Sequence, residues 1–279
     1  MIVHYGEAEP TRRAVAAVLA DPSPLARRVV VVDNGGALRP EDLPPEVLHL
    51  PCPDNPGFGG GANRGVAALS ALGGDDGMWL ILNHDVEIAP GYLAAEGVGA
   101  AAGPLHRDRP GGALWYAGGS LRRLTGTVMQ SRSPRDARCE RDVGFLPGTA
   151  LAVRRAAWRE VGGFDPRIFL YHEDLDLCLR LGRAGWRLRF VPGMVAVHHI
   201  GAATGSGERS AFYLEHLTRT RLVPHRSLPY RLWLAVLHTG WVAWRAAELA
   251  LVEGRRGRVK ARALLRGHRS ALAGLWPRR

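Results

Sequence analysis

VVVVDNGG, at residues 29–36, and WLILNHDVEI, at residues 79–88, are the two stretches that decide the predicted fold. Each begins as an apolar run and stops at polar residues that include a carboxylate, Asp33 in the first stretch and Asp85 in the second. A continuous apolar run of this length is typical of a strand that is buried on both faces. We therefore expect two central strands, each with an acidic side chain at its end.

The segments around these strands alternate between strand-like and helix-like patterns. Further strands are predicted at residues 2–5 and 47–50, and helices at residues 11–20 and 62–72. Such alternation predicts an α/β fold whose sheet has largely parallel strands. Ligands bind beyond the carboxyl ends of the strands in open sheets of this kind, which is where Asp33 and Asp85 would lie.

The pattern changes in the rest of the chain. Residues 104–142 are rich in Gly, Pro and Arg, and we expect an irregular, mobile connection there, with possible strands at 113–116 and 127–130. Regular patterns return as strands at 145–153, 188–191 and 195–198 and as helices at 155–161 and 173–184. After residue 210 the chain has helical patterns.

Charge is distributed unevenly along the chain. Residues 1–204 contain 22 Arg and 22 acidic residues, whereas residues 205–279 contain 15 basic and 4 acidic residues, so the net charge of +11 belongs entirely to the last quarter. A neutral body with a basic end is typical of an enzyme that carries a surface-attachment segment. A nucleic-acid-binding protein is the alternative, but no binding motif or set of stacking aromatic residues accompanies the basic residues.

Two segments of the basic quarter could contact a membrane. Residues 232–252 are long enough to cross a bilayer, but His238, Arg245 and Glu248 interrupt them, which favours an interfacial or buried helix over a span. From residue 255 onward there are nine basic residues and no acidic one. Basic and apolar residues recur there at helical spacing, which indicates either a helix on an anionic membrane surface or a solvated, Arg-rich helix.

The cysteines and the N-terminus favour a cytoplasmic protein. Cys52, Cys139 and Cys178 are widely spaced and show no CxxC pattern, which fits a reducing compartment. The first residues lack the long apolar run of a signal peptide, so we expect none.

Carboxylates at strand ends are the first candidates for a functional site. Asp33 and Asp85 could each simply cap the turn that follows a strand. Two such strand ends in one sheet, with Asn83 two residues before Asp85, also fit a site for a hard divalent cation and the phosphates that it neutralises.

The segment NPGFGGGANRG, at residues 55–65, is dense in glycine and opens a helix. Gly57, Gly59 and Ala62 match a GxGxxA dinucleotide pattern, but no strand runs directly into the first glycine, as that fingerprint requires. Backbone N–H groups at the helix start suit a phosphate or a nucleoside. A plain flexible loop is the alternative.

The segment LYHEDLDLCLRLGRAGW, at residues 170–186, contains the most specific pattern. Glu173, Asp174 and Asp176 crowd the predicted start of a helix, where the helix dipole favours negative charge. Capping explains one carboxylate, and three beside Tyr171 are more than capping needs. A carboxylate at a helix start in a cleft is well placed to act as a general base.

Two histidines follow the last apolar strand. Adjacent side chains of a strand point to opposite faces, so only one of His198 and His199 can face the site. A functional role for either depends on its lying near Asp85.

In combination, these segments resemble the family-2 glycosyltransferases, in particular the bacterial rhamnosyltransferase-like branch with a GT-A fold. Seven segments occur in the order and approximate spacing of that family: IVHYG (2–6), VVVVDNGG, NPGFGGGANRG, WLILNHDVEI, GFLPGTALAVRRAAWREVGGFD (144–165), FLYHEDLDLCLRLGRAGW (169–186) and VAVHHIGAAT (195–204). The resemblance implies a Rossmann-like, nucleotide-binding GT-A domain over residues 1–205, with a mixed, mostly parallel sheet flanked by helices. Residues 206–279 would form a helical, basic extension.

The resemblance also implies roles for individual residues. Those expected on the donor side are His4, Tyr5, Asp33, Gly59, Gly60, Asn63, Asn83 and His84. Asp85 and His199 would hold Mg²⁺ or Mn²⁺, with His199 matching the family's metal histidine better than His198 does. Asp174, next to Glu173 in the family's Glu-Asp motif, would be the catalytic base. Gly148 would face the acceptor, and Asp176 would organise the helix start on that side.

One departure from the family's DxD motif affects the predicted metal site. The first carboxylate is replaced by the amide of Asn83, so the cation would depend on Asp85, His199 and the donor diphosphate. We therefore expect modest metal affinity in the absence of donor. The implied enzyme is an inverting hexosyltransferase that works by a single displacement.

The implied partners are a dTDP- or UDP-linked sugar, with rhamnose as the sugar of this branch, a glycan or polyprenyl-linked acceptor for cell-surface polysaccharide synthesis, and an anionic membrane surface rather than nucleic acid. Such an enzyme would act in the cytoplasm, peripherally at the inner face of the cell membrane. Two other functions stay open: an NAD-dependent dehydrogenase that uses residues 57–62 as its pyrophosphate loop, and a degenerate, non-catalytic protein that binds nucleotide sugars.

Overall fold

The computed structural model of the chain describes residues 1–22, 27–36, 38–73, 77–92, 97–199 and 210–275. The strands of these ranges are β1 (Ile2–His4), β2 (Val30–Asp33), β3 (Leu48–Pro51), β4 (Met78–Asn83), β5 (Val86–Ile88), β6 (Ala100–Ala102), β7 (Leu105–Arg107), β8 (Leu114–Tyr116), β9 (Gly119–Arg122), β10 (Thr127–Gln130), β11 (Arg141–Asp142), β12 (Ala150–Arg154), β13 (Leu188–Phe190) and β14 (Ala196–His198). The α-helices are α1 (Ala8–Leu19), α2 (Gly57–Ala71), α3 (Arg155–Val161), α4 (Glu173–Arg183), α5 (Ala211–Thr220), α6 (Leu228–Val252) and α7 (Gly254–Ala273).

Eight strands form a central sheet in the order β11-β13-β6-β12-β4-β1-β2-β3. The pairs β1–β2, β1–β4, β2–β3 and β6–β13 are parallel. Strand β12 is antiparallel to both β4 and β6, and β11 is antiparallel to β13. The sheet is therefore mixed and mostly parallel, which confirms the predicted fold class.

The centre of the sheet is buried on both faces. Val30, Val31 and Val32 of β2 and Ile81 of β4 are fully buried, and helices α1 and α2 pack against β1 and β2. Neither face of such a strand is exposed to solvent, so no position along it favours a polar residue. For this reason these strands are uninterrupted apolar runs in the sequence.

The prediction of an irregular connection over residues 104–142 is wrong, although the two possible strands predicted within it, at 113–116 and 127–130, are present as β8 and β10. The segment contains β7 to β11: β7 and β8 join β5 and β14 in a second sheet of order β5-β14-β7-β8, and β9 pairs with β10 as a hairpin. Each of these strands is only two to four residues long, and many of their side chains are half-buried or exposed. Strands β7, β9 and β11 were not predicted, because strands this short have few apolar positions from which to recognise a pattern.

Helix α2 begins five residues before its predicted start at residue 62 and includes the glycine segment, so the flexible-loop alternative is wrong. Gly57 has a φ of 78°, and a Cβ atom on it would lie 2.0 Å from the carbonyl oxygen of Phe169. A Cβ on Gly65 would lie 2.8 Å from Cγ2 of Val32. These glycines let the helix approach the sheet and the 165–172 segment more closely than a side chain allows.

The C-terminal quarter is helical, as predicted. Helices α6 and α7 pack against each other as a hairpin, and α7 also packs on α5. None of the helices in the described part of the chain is long and apolar enough to cross a bilayer. The predicted boundary between residues 205 and 206 lies outside the described residues, as does Trp276.

Candidate active site

Polar side chains meet at the carboxyl edge of the central sheet. The parallel register sets His4 of β1 opposite Asp33 of β2, and it sets Val3 opposite Asn83 of β4. The ring of His84, the next residue after β4, lies 5.5 Å from the ring of His4 between centroids. The sheet thus brings together the strand-end residues that the sequence singles out.

His4 and Asp33 are fully buried beneath this edge. Nδ1 of His4 lies 2.6 Å from Oγ1 of Thr11, and its Nε2 lies 3.9 Å from Oδ1 of Asp33. The other carboxylate oxygen of Asp33 accepts a hydrogen bond of 2.9 Å from the Leu38 N–H and lies 3.6 Å from Nε2 of His49. Burial lowers the pKa of His4 to about 4, so the ring is neutral at physiological pH. The Asp33 side chain thus holds the loop after β2 through Leu38, and His4 lies beside Asp33.

Asp85 lies beside His198, and His199 points elsewhere. Strand β14 pairs antiparallel with β5 so that His198 is opposite Val86, and Nε2 of His198 lies 3.3 Å from Oδ1 of Asp85. Nε2 of His199 lies 2.9 Å from Oε1 of Glu87 instead. The prediction that His199 rather than His198 accompanies Asp85 is therefore wrong in side-chain placement, because the register directs the other face of β14 toward the strand end.

The charge of Asp85 is supported by these neighbours. Burial by itself raises the pKa of this carboxyl, but the contact with His198 and the nearby ring of His84 outweigh that effect and leave the pKa below its usual value. Burial lowers the pKa of His84. The site therefore holds one carboxylate that stays ionised beside imidazoles, of which His84 is kept neutral.

The side chains of Asp85, His198 and His84 have polar atoms that are available to bind a ligand. Oδ1 of Asp85, Nδ1 of His198 and Nε2 of His84 are buried and have no hydrogen-bond partner in the described part of the chain. Among the described residues, no group of three or more His, Cys, Asp or Glu side chains is arranged to hold a metal ion. One carboxylate and one imidazole fit a Mg²⁺ or Mn²⁺ ion that takes its remaining ligands from a phosphate group and water.

Asp174 is held by backbone N–H groups at the start of α4. Its Oδ2 accepts a hydrogen bond of 3.2 Å from Gly148, and its Oδ1 accepts one of 2.8 Å from Leu175. Gly148 precedes β12, whose antiparallel pairing with β4 brings the Thr149 carbonyl to the N–H of Asn83. Asp174 is therefore fixed at the same edge of the sheet as the end of β4.

Glu173 and Asp174 form a coupled pair whose members differ in their surroundings. Burial and, to a smaller extent, the neighbouring Asp174 together raise the pKa of Glu173 to about 8. Oε2 of Glu173 has no hydrogen-bond partner in the described residues. Burial also raises the pKa of Asp174, but the N–H bonds from Gly148 and Leu175 oppose this. The backbone N–H bonds therefore favour the negative charge on Asp174 and the proton on Glu173.

The raised pKa of Glu173 predicts how the free energy of unfolding depends on pH. Because the pKa of Glu173 rises from 4.5 to about 8 on folding, the native state binds more protons than the unfolded state between these values. The free energy of unfolding should therefore fall as pH rises through this window, and Glu173→Gln should remove that part of the slope. Urea unfolding at a series of pH values from 5 to 8 measures it, with the exposed Glu46→Gln as the matched control. An unchanged slope in Glu173→Gln would contradict the protonation assigned to the pair.

Other predicted donor-side and acceptor-side residues have mostly structural contacts. Both polar groups of the Asn63 amide bind the backbone of Phe164, at 2.9 Å each, so the side chain is a clamp between α2 and the 163–165 turn. Asp176 pairs with Arg180 at 2.6 Å within α4. A Cβ on Gly59 would lie 3.6 Å from Cβ of Glu173, which places this glycine beside the Glu-Asp pair.

Tyr5 and Gly60 lie apart from these contacts. Tyr5 follows β1 with about half of its side chain exposed. A Cβ on Gly60 would lie 2.8 Å from Cβ of Pro56 at the start of α2. A Cβ on Gly35, two residues after Asp33, would lie 3.7 Å from the ring of Tyr5, so Tyr5 stays beside the loop that follows β2.

The C-terminal extension supports the start of α4, which sequence reasoning missed. Tyr171 and His172 have φ values of 65° and 67°, a left-handed conformation that is uncommon for residues other than glycine. Nδ1 of His172 lies 3.0 Å from Oγ1 of Thr220 in α5, and the ring of Tyr171 lies 4.8 Å from that of Tyr213. The run of aromatic residues in α5 was the available signal for this contact.

Sequence comparisons group this chain with known glycosyltransferases. A family profile described as "Glycosyl transferase family group 2" matches residues 116–245. N-acetylglucosaminyl-diphospho-decaprenol L-rhamnosyltransferase of Mycobacterium tuberculosis is 36% identical over 230 residues, covering 72% of this chain and 70% of that protein. Rhamnosyltransferase WbbL of Escherichia coli K12 is 36% identical over 91 residues, covering 30% of this chain and 34% of that protein.

Solved structures share the fold at low sequence identity. The mannosyltransferase PcManGT from Pyrobaculum calidifontis, solved with GDP-Man and Mn²⁺, is 17% identical with a TM-score of 0.53, covering 97% of this chain and 85% of that one. GalNAc-T7, solved with UDP, GalNAc and Mn²⁺, is 15% identical with a TM-score of 0.56, covering 77% of this chain and 46% of that one. With the mixed sheet and the relatives above, these likenesses identify the fold and the family together: the chain is a GT-A enzyme that belongs to the family-2 glycosyltransferases, in their bacterial rhamnosyltransferase-like branch.

Proposed function

We propose that this enzyme transfers a sugar, rhamnose first among the candidates, from a nucleoside-diphosphate donor to a lipid-linked saccharide, and that it inverts the anomeric carbon. The observation that carries this proposal is the placement of Asp174. Backbone N–H groups hold both of its oxygens at the carboxyl edge of the sheet, the edge that also carries Asp85 at the end of β4. A base and an anchor for the donor phosphates are the two parts that a single displacement requires.

Asp174 acts as the general base in the proposed reaction. Its carboxylate takes the proton from an acceptor hydroxyl while that oxygen forms a bond to the anomeric carbon of the donor. The bond from that carbon to the diphosphate breaks on the opposite side, and its electron pair leaves with the nucleoside diphosphate. Glu173, which keeps its proton, adds no negative charge next to the base when the charged leaving group departs.

Asp85 and His198 would hold a divalent cation at the diphosphate end of the donor. When bound, Mg²⁺ or Mn²⁺ would neutralise the charge that develops on the diphosphate oxygens. Asp85 remains ionised for this purpose because of its imidazole neighbours, and Asn83 adds a neutral amide at the same strand end. The protein supplies few ligands, so metal and donor should bind together.

The acceptor side of the proposal rests on the relatives and on charge. The M. tuberculosis relative is named for a lipid-linked acceptor, N-acetylglucosaminyl-diphospho-decaprenol. A polyprenyl-diphosphate saccharide lies in a membrane, and residues 205–279, with 15 basic and 4 acidic residues, suit the anionic inner surface of a cell membrane. The enzyme would then act at that surface from the cytoplasm.

The dehydrogenase alternative does not fit the glycine segment. Five residues separate the end of strand β3 at Pro51 from the start of α2 at Gly57. A dinucleotide fingerprint instead needs a strand that runs directly into its first glycine. The space over these glycines is filled by protein: a Cβ on Gly61 would lie 2.7 Å from Oδ1 of Asn34. A degenerate binding protein is less favoured than an enzyme, since Asp85, Asp174 and His198 are all present.

A thermal-shift experiment with dTDP, UDP, GDP and NAD⁺, each with and without Mn²⁺, tests donor binding. One nucleoside diphosphate should raise the melting temperature in the presence of Mn²⁺ and do so much less without it, since a ligand at 100 times its dissociation constant stabilises the native state by about 2.7 kcal/mol. Mn²⁺ alone should have little effect. A shift with NAD⁺ only, or none with any nucleotide, would count against the proposal.

A further inference from the structure

Helix α6 is apolar on two opposite sides. One side, formed by Leu234, Ala235, Val242, Ala246 and Leu249, packs against the neighbouring helices of the extension. The opposite side is exposed and forms what is called here the outer face of α6; its large residues are Trp233, Val236, Leu237, Trp241, Trp244, Leu251 and Val252. At 100° per residue, positions 233, 237, 240, 244 and 251 fall on one line along the helix.

The outer face is large and almost without charge. Val236 is 70% exposed, Trp244 is 61% exposed and Leu251 is 84% exposed. Residues 232–244 contain no acidic or basic residue other than His238, and Glu248 at the border of the face is paired with Arg245 at 2.5 Å. Soluble proteins rarely expose an apolar strip as long as the one from Trp233 to Val252, and such strips mark a binding surface.

Basic residues flank this face at the end of the hairpin. Helix α7 and its last described residues, 254–275, contain seven basic residues and no acidic one. Arg255, Arg256 and Arg258 are exposed shortly after Leu251 and Val252, and Val259 beside them is 53% exposed. The intervening Glu253 pairs with Lys260 at 2.7 Å. The tip of the hairpin therefore presents apolar and cationic side chains together.

We propose that the outer face of α6 lies in the interfacial region of an anionic lipid bilayer, with its three tryptophans at the level of the headgroups and the arginines of α7 on the lipid phosphates. Tryptophan prefers that level of a membrane because its ring is apolar and its N–H is polar. The combination of an apolar strip and adjoining positive charge is the one that binds such surfaces. The inference rests on the proposed function, because the membrane contact would give the enzyme access to its lipid-linked acceptor.

A second copy of the chain fits this face less well. In a twofold dimer the same surface meets itself. The acidic side chains nearest that surface, Glu248 and Glu253, already pair with Arg245 and Lys260. The exposed arginines of the hairpin tip would therefore gain no opposite charge from a second copy. Lipid phosphates instead supply the opposite charge. The distribution of charge along the extension thus favours a bilayer as the occupant.

The face is joined rigidly to the active site. Nε1 of Trp233 donates to the carbonyl of Leu124 at 2.9 Å, which ties the first turns of α6 to the β9–β10 hairpin. Helix α5 contacts the segment before α4 through the rings of Phe212 and Phe169, 6.4 Å apart between centroids. A membrane that binds α6 would therefore lie at a fixed position relative to Asp174.

Vesicle flotation tests the inference. The full chain is mixed with phosphatidylcholine vesicles, with or without phosphatidylglycerol, and compared with Val236→Asp/Trp244→Asp and with Arg255→Gln/Arg256→Gln/Arg258→Gln. The wild type should float with the anionic vesicles, and each variant should bind them at least ~10-fold more weakly. Leu72→Asp, at an exposed apolar position at the end of α2, is the matched control and should bind like the wild type.

The depth at which the outer face of α6 enters the bilayer is measured separately, with a fluorescent dye whose emission depends on the polarity around it. Position 236 is labelled as Val236→Cys in a Cys139→Ser background, since Cys139 is the exposed cysteine and Cys52 and Cys178 are buried. The emission should shift to the blue on anionic vesicles, and a label at Leu72→Cys should not respond. Vesicle binding that survives Val236→Asp/Trp244→Asp, or a wild-type dimer in solution that the same variant dissociates, would overturn the inference.

These outcomes are separable from those of the proposed function. Vesicle binding requires no turnover, so a loss of binding in the outer-face variant supports the inference even if no sugar is transferred. Conversely, the outer-face variant should retain transfer to a water-soluble acceptor that lacks the lipid. A protein that transfers sugar but whose outer face does not bind vesicles would leave the proposed function in place and remove only the membrane contact.

Discussion

Asp174→Asn should slow sugar transfer by at least ~100-fold while leaving donor binding intact, because a positioned general base contributes that much or more to a transfer rate. The amide keeps the size of the side chain and can still accept from the N–H of Gly148 or Leu175, but it cannot take a proton from the acceptor. The turnover number should fall, and the metal-dependent thermal shift with the donor nucleotide should remain.

Asp176→Asn provides the matched control for this variant. It makes the same chemical change two residues later on the same helix, at a carboxylate paired with Arg180 rather than held by Gly148. We expect lower thermal stability in this control because a buried pair is broken, with turnover much closer to that of the wild type. Turnover retained by Asp174→Asn would remove Asp174 as the base.

Asp85→Asn should have the second largest effect, again a loss of ~100-fold or more in transfer, since electrostatic stabilisation of a leaving group commonly contributes that much. The loss should have a different origin from that of Asp174→Asn. Removing the ionised carboxylate removes the anchor for the cation, so the Mn²⁺-dependent part of nucleotide binding should disappear as well. A variant that transfers slowly but still shows the full Mn²⁺-dependent shift would contradict the role given to Asp85.

His198→Gln and His199→Gln form a pair of adjacent substitutions that tests the same site. Only His198 lies beside Asp85, at 3.3 Å, whereas His199 contacts Glu87. The Mn²⁺ concentration needed for half-maximal activity should rise by ~10-fold or more in His198→Gln, as for other residues that support a metal, and it should change little in His199→Gln. The opposite result would restore His199 as the metal residue.

The central strands were predictable because a strand that is buried on both faces is an uninterrupted apolar run in the sequence. The runs that end at Asp33 and Asn83 are continuous and apolar, and their parallel pairing then brings His4, Asp33 and Asn83 to one edge. The strands between residues 104 and 142 contain no such apolar run, because they are short and many of their side chains are accessible to solvent. Their existence depends on partners distant in sequence, such as β14 for β7.

The choice between His198 and His199 illustrates what sequence reasoning could not provide. Alternation along a strand fixes that the two side chains diverge, but only the register of β14 against β5 decides which one meets Asp85. Asn63 was misjudged for a related reason. Its position in the glycine segment suggested a pocket, and the contact that uses its amide is with Phe164, about a hundred residues away in the chain.

The start of α2 was predicted too late because glycine has a low helix propensity. Five glycines precede or interrupt the apolar pattern of this helix, and each would cost helix stability in isolation. The close approach of Gly57 to Phe169 and of Gly65 to Val32 compensates for that cost through packing. Tertiary contacts of this kind override local preference and are not visible in a single sequence.

The most direct test of the proposed enzyme is a transfer assay with purified protein, Mn²⁺, dTDP-rhamnose or UDP-sugars, and a polyprenyl-diphosphate N-acetylglucosamine acceptor. The product is isolated, and its anomeric configuration is determined by NMR. We expect a lipid-linked disaccharide whose new linkage has the configuration opposite to that of the donor, formed with one of these nucleotide sugars and lost in Asp174→Asn. Retention of configuration, or no transfer from any of these donors to the lipid-linked acceptor, would contradict the proposed function.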